Sequence, residues 1–214
     1  MNGGFAITDA VFGADEIDSL MRQLDAAPLH RSRAGARHLL GVPAIAALAR
    51  DPRLTALAAQ ALGGDPVPFG ATLFDKSLNA NWLVAWHQDT ALALLERRDA
   101  AGWGPWSTKH GVTYAHAPAR ALARVVALRI HLDASTTENG PLRVLPGTHG
   151  DGVLSDEQIR SAAQRIAPVT CTVPRGGVLM MQPLLVHNTV KCRLRSAGVA
   201  SNWEMPWSNV SRRR

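Results

Sequence analysis

Cysteine is nearly absent from the 214 residues: Cys171 and Cys192 are the only two, and they do not form a C-x-x-C pair. Two thiols exclude a disulfide-framed scaffold and a four-cysteine zinc site. Each is read as a small buried residue. Long hydrophobic runs are missing too. No apolar stretch approaches the roughly 18–20 residues that a membrane helix needs, so no membrane partner is expected. Met1-Asn2-Gly3-Gly4 lacks the basic and apolar regions of a signal peptide, and a cytoplasmic location is the expectation. Internal repeats, low-complexity blocks and linkers are also lacking, which predicts one domain over 1–214.

Negative charge is in the minority, with 17 acidic against 23 basic residues and a formal charge of +6. The basic residues are scattered, apart from Ser211-Arg212-Arg213-Arg214. No helix-turn-helix, finger or aromatic RNA-binding signature accompanies them, so no nucleic-acid partner is expected. A net positive field suits an anionic small molecule instead. The hydrophobic share of 46% predicts a globular fold rather than a disordered chain.

Residues 1–65 read as mostly helical support. Ile17, Leu20, Met21 and Leu24 form a helical stripe behind Asp15 and Glu16. A second helical stretch covers about Pro43 to Leu62, broken at Asp51-Pro52 and stopped by Gly63-Gly64. From Pro66 the texture becomes β. Short runs lie at Val67–Phe74, Trp82–Trp86, Arg124–Leu132, Leu142–Leu145, Val169–Val173, Gly177–Met181 and Val199–Trp203. Many short strands after a helical start predict a sandwich or jelly-roll core over 66–205 with helices outside. Along one strand Val126, Leu128, Ile130 and Leu132 face one way, and Arg129, His131 and Asp133 the other. That polar face belongs either in solvent or in an internal pocket. Residues 91–122 hold Trp103, Trp106 and Tyr114 among basic residues. The segment is too long for an ordinary connection, so it is either a lid or a surface excursion.

Trp86-His87-Gln88-Asp89 contains a His-x-Asp pair. On a strand, residues two apart project to the same side, so the imidazole and the carboxylate converge. A third ligand from a distant strand would complete a facial 2-His-1-carboxylate set with open positions. His187, at the end of the apolar run Pro183–Val186, is the natural third member. The pattern is cheap, since His131-Leu132-Asp133 repeats it.

Trp86–Asp89, the stretch Glu138-Asn139-Gly140-Pro141-Leu142-Arg143-Val144-Leu145-Pro146-Gly147-Thr148-His149, and the run Gly176–His187 resemble, in order, three segments of the phytanoyl-CoA dioxygenase family. Gly4-Phe5-Ala6-Ile7 and the following helix are similar to its opening. The resemblance implies a double-stranded β-helix, a cupin-like jelly roll. It implies an Fe(II)- and 2-oxoglutarate-dependent dioxygenase that uses O2 to oxidise a small-molecule C–H bond. His87, Asp89 and His187 would hold the metal and carry the reaction, whereas His131 and Asp133 would not. The presence of Asp89 points to hydroxylation rather than halogenation, because halogenating relatives lack that carboxylate.

One departure concerns the arginine that anchors the far carboxylate of 2-oxoglutarate. In the family it lies about eleven residues after the distal histidine, where this chain has Gly198. Arg195 fills the role if the loop is shortened, and Arg129 or Arg193 are the alternatives. Thr189 matches a position where the family often has a hydroxyl near 2-oxoglutarate, and Thr72 joins the expected co-substrate contacts. Two other readings of the same residues are a degenerate, non-catalytic member that retains the metal site, and a zinc-dependent hydrolase or isomerase of cupin-like form.

Overall fold

The computed structural model describes residues 1–30, 32, 35–76, 83–109, 111–190 and 200–208. Trp82, Cys192, Arg193, Arg195, Gly198 and the Arg212–Arg214 tail lie outside the described residues. Helix α1 (Ala14–Ala26) starts where the Glu16 carboxylate accepts a hydrogen bond from the Gly13 N–H at 2.8 Å, and it buries Ile17, Leu20 and Leu24. The Pro43–Leu62 stretch divides as the sequence predicts, into α2 (Pro43–Leu48) and α3 (Pro52–Leu62). Asp51 caps α3 by accepting from Arg53 N at 2.8 Å, and Pro52 opens it, where its missing N–H is no loss.

Every strand pairing is antiparallel. The largest sheet is ordered β1 (Phe5–Thr8), β12 (Val178–Met181), β9 (Val125–His131), β14 (Ala200–Ser208), β4 (Thr72–Lys76), β2 (Gly35–Ala36), with β3 (Val67–Pro68) also on β14. A second sheet is ordered β11 (Val169–Cys171), β10 (Leu142–Val144), β13 (His187–Thr189), β5 (Val84–His87). Val126, Leu128 and Ile130 of β9 pack with Met205 and Trp207 against the helices through Ile17, Ile45 and Leu54. The opposite face, with Ala127, Leu179 and Met181, meets Leu142, Val144 and Cys171 of the second sheet. The fold is thus a jelly roll with an outer helical layer, and all seven β9 residues are buried. The polar face of β9 points into the barrel, not into solvent.

The structure departs from the expectation in several places. Val67–Phe74 is interrupted at Phe69–Ala71, where a side chain at Gly70 would come within 3.0 Å of the Pro206 ring. The last strand does not stop at Trp203 but runs to Ser208. Pro206 is tolerated there because it sits where the β14 partner changes from β4, paired through Glu204, to β3, paired from Trp207. A helix α5 (Asp156–Arg165) was not anticipated, although Ser155 and Gln158 cap it reciprocally, at 3.2 and 2.8 Å.

Residues 91–122 fold into a third sheet, β6 (Ala91–Leu94), β8 (Val112–His116) and β7 (Trp106–Lys109), followed by the short helix α4 (Ala119–Leu122). Its neck is clasped by Ala117 N donating to Thr90 O at 2.9 Å and by Thr90 Oγ1 against His116 Nδ1 at 2.7 Å. Among the described residues no helix is long and apolar enough to cross a membrane.

Candidate metal centre

Strands β5 and β13 are neighbours, and His87 stands directly opposite His187 in their register. The ring centroids are 4.2 Å apart. Each Nδ1 faces the carbonyl two residues back, Ala85 O at 2.8 Å for His87 and Leu185 O at 2.9 Å for His187. A carbonyl only accepts, so both Nδ1 atoms carry the proton and both Nε2 lone pairs are left for a third body. Asp89 closes the triangle, with Oδ1 3.7 Å from His87 Nε2 and Oδ2 3.4 Å from His187 Nε2. One donor from each residue lies within 4.8 Å of the others. Burial holds the His187 imidazole below its usual range, against the pull of Asp89. A neutral imidazole is the form that binds a metal. The hard carboxylate and the two imidazole nitrogens suit Fe(II), and the open side of the triangle suits further ligands.

The connections around this triangle explain why the surrounding sequence has its form. Gln88, between two of the donors, turns the opposite way. Its amide donates to Leu184 O at 2.7 Å and Gly152 O at 2.9 Å and accepts from Leu154 N at 2.8 Å. Asp89 N donates to Pro183 O at 2.9 Å. His87 at the end of β5 and Asp89 just past it are therefore tied to the segment that delivers His187. From the far side, Thr148 Oγ1 accepts from Val186 N at 2.9 Å and donates to Leu145 O at 2.8 Å. Asn139 shapes the preceding turn, accepting from Thr136 N at 2.8 Å and donating to Ala134 O at 2.7 Å. The long 138–149 stretch thus supports β10 and His187 rather than supplying ligands.

Gln88→Leu keeps the volume of the side chain but leaves three backbone groups unpaired. It should weaken Fe(II) or Mn(II) binding about 10–100-fold, as loss of a group that orients ligands does, when measured by calorimetry. Unchanged affinity together with lowered thermal stability would show that Gln88 serves folding alone.

The donors open onto a cavity of about 960 Å³. On its inner wall, Arg129 of β9 stands opposite Glu204 of β14, which stands opposite Thr72 of β4. Glu204 Oε2 accepts from Arg129 Nε at 3.1 Å and also from Nη2, and the guanidinium lies 5.0 Å from the Phe74 ring. The two charged side chains are only 10% and 18% exposed. Thr189 also lines the cavity, and its buried hydroxyl has no hydrogen-bond partner among the described residues. Arg129, Thr72 and Thr189 are therefore brought to the same cavity as the donor triangle. Glu204 was missed because its strand was read as ending at Trp203.

His131 lies on the same wall, outside the donor triangle. Burial, and then the Arg129 cation, pushes its pKa down to about 4. Above pH 6.5 the ring is neutral folded or unfolded and carries no penalty. As pH falls, the unfolded chain takes up a proton that the folded chain refuses, so stability is lost from about pH 6.5 down to about 4. The loss approaches about 3 kcal/mol for this one group. Urea unfolding of His131→Gln should show a correspondingly flatter decline across that window. Cys171 is inert by comparison, since burial pushes its thiol up to about 12.

A jelly roll that turns two histidines and one carboxylate toward an open cavity defines the class of non-haem iron oxygenases. The sequence profile of the phytanoyl-CoA dioxygenase family matches residues 2–193, and the chain belongs to that family. Membership makes it an Fe(II)- and 2-oxoglutarate-dependent oxygenase. Among solved structures, AviO1 from Streptomyces viridochromogenes is similar at 20% identity and a TM-score of 0.69, over 98% of this chain and 91% of its own. EctD from S. alaskensis, solved with 2-oxoglutarate and 5-hydroxyectoine, has 20% identity and a TM-score of 0.71 over 98% and 73%. HygX from Streptomyces hygroscopicus, solved with nickel and 2-oxoglutarate, has 19% identity and a TM-score of 0.67 over 98% and 84%. No curated protein sequence matches the chain.

Proposed function

We propose that His87, Asp89 and His187 hold Fe(II), and that the enzyme oxidises a C–H bond of a small-molecule substrate in the cytoplasm, hydroxylation being the reaction that Asp89 favours. The observation that carries this reading is the convergence of three donors, with both Nε2 atoms freed, on the wall of one large cavity. Bound there, Fe(II) with 2-oxoglutarate and O2 supplies the oxidising power. The chain's own residues position and protect. His87 and His187 are fixed by their Nδ1–carbonyl bonds, with Nε2 turned to the metal position. Asp89 adds the negative charge that a divalent ion needs. Arg129 receives the far carboxylate of 2-oxoglutarate, and the unpartnered hydroxyl of Thr189 donates to that co-substrate, with Thr72 beside it. Among the described residues Arg129 is the arginine that shares its strand row with Glu204 and Thr72 on the cavity wall; Arg195 is the alternative from the sequence. The third sheet, lining the cavity through Leu92, Leu94, Val112 and Tyr114, acts as the lid over the substrate.

The test is anaerobic addition of Fe(II) and 2-oxoglutarate. A weak visible charge-transfer band is expected, followed on exposure to air by succinate formation. A protein that forms the band but makes no succinate with any of a panel of metabolites is the degenerate member. One that forms no band, yet gains a hydrolytic or isomerising activity with zinc, is the cupin-like alternative.

A further inference from the structure

The cavity is charged unevenly. At the donor triangle lies Asp89 and, on the inner wall, Glu204 with its partner Arg129; among the described residues no other acidic residue lines it. The same cavity is also lined by Arg37 and His38, just past the edge strand β2, and by Tyr114 of the third sheet. Arg37 is exposed and lines the cavity, and among the described residues no carboxylate pairs with it. His38 Nε2 lies 3.3 Å from the Tyr114 hydroxyl, so two polar groups from segments 76 residues apart meet there. His38 adopts a left-handed backbone, φ 60, a conformation that a non-glycine residue takes only at some cost. Lys109 Nζ, 5.7 Å from the Tyr114 ring centroid, adds positive charge outside. The lining also includes the apolar Leu40, Phe69, Leu92, Leu94 and Val112.

We infer that the substrate is an amphiphilic oxyanion, a carboxylate or phosphate monoester on an apolar body, held by Arg37, His38 and Tyr114 so that its apolar end lies at His87, Asp89 and His187. An unpaired guanidinium beside two hydrogen-bonding side chains is a site for an oxygen-rich anion. The apolar wall excludes a second charge along the body. The inference rests on the proposed oxygenase reading and names the substrate class for that same cavity.

Calorimetry under argon, on the protein loaded with Fe(II) and 2-oxoglutarate, tests it with three probes that share one chain: decanoate, decyl phosphate and decan-1-ol. Decanoate and decyl phosphate should bind about tenfold more tightly than the alcohol, the effect of one charge-assisted contact. In Arg37→Ala that preference should fall to within about threefold, while decan-1-ol binding stays as in the wild type. Tyr114→Phe should lose part of the preference. Equal binding of the three probes to the wild type, or equal weakening of all three by Arg37→Ala, overturns the inference. The visible band of the same wild-type sample separates the two levels. With the band present, equal binding removes only the substrate class; with the band absent, the oxygenase reading itself falls.

Discussion

Replacing His87 by alanine should abolish Fe(II) binding and all 2-oxoglutarate turnover. The change leaves two donors, Asp89 and His187, and a divalent ion held by two protein groups is exposed to exchange with water. His87 is also directly opposite His187 in the strand register, so no neighbouring histidine can take its place. His131→Ala is the control: it also removes an imidazole from the cavity wall, but one outside the donor triangle, and it should bind metal as the wild type does. Asp89→Gly should abolish hydroxylation as well, for a different reason, because it leaves the two imidazoles in place and opens one position to halide. Calorimetric titration of Fe(II) or Mn(II) into the three variants decides the matter. Full hydroxylation by Asp89→Gly would remove Asp89 from the ligand set.

Loss of the Arg129 cation should raise the 2-oxoglutarate requirement about 10–100-fold, the scale of one charge-assisted contact worth about 1.5–3 kcal/mol. Arg129→Ala alone is a poor instrument, because it strands Glu204, whose side chain is 18% exposed, and a buried carboxylate without its partner costs about 3–5 kcal/mol of stability. The paired variant Arg129→Leu with Glu204→Leu removes both charges and is expected to fold. It should bind Fe(II) normally and demand far more 2-oxoglutarate. Glu204→Gln should have the opposite sign, since it frees the guanidinium for the incoming carboxylate. If the paired variant turns over at wild-type 2-oxoglutarate concentrations, the anchor lies elsewhere and Arg195→Ala is the next substitution to make.

The donor triangle was readable. The spacing and the apolar run named the right residues for the wrong local reason: β5 ends at His87, so Asp89 follows in the connection, and the run Pro183–Val186 is a turn that leads into β13 at His187 rather than a strand that ends there. The helices before residue 65 were readable because Asp51-Pro52 and Gly63 act on the backbone itself. The direction of the polar face of β9 was not readable. The same alternation of Arg129 and His131 serves a solvent face or a lined cavity, and only the second sheet, packed through Leu142 and Val144, decides between them. The end of β14 was misread because a proline inside a central strand argues against a strand unless the partner changes at that point. The Arg129–Glu204 pair was hidden as a consequence, since one half of it lay beyond the strand as read. Gln88 was hidden by its neighbours: in a His-x-Asp pair the middle residue points away from the donors, and only the folded chain reveals that it bonds to Leu184 and Gly152.

The clasp at Thr90 and Ala117 has a consequence for how this protein can diversify. The chain leaves the barrel one residue after Asp89, builds the third sheet, and returns within one backbone hydrogen bond of its departure. An insert whose two ends meet imposes almost no constraint on its host, whatever its length. The segment between them is therefore a cassette. Its strands pair only with one another among the described residues, although Leu92, Trp103 and Leu122 also pack on Leu184 in the segment that delivers His187. None of His87, Asp89 and His187 lies within that segment, so an exchange of the roof keeps the three donors in the chain.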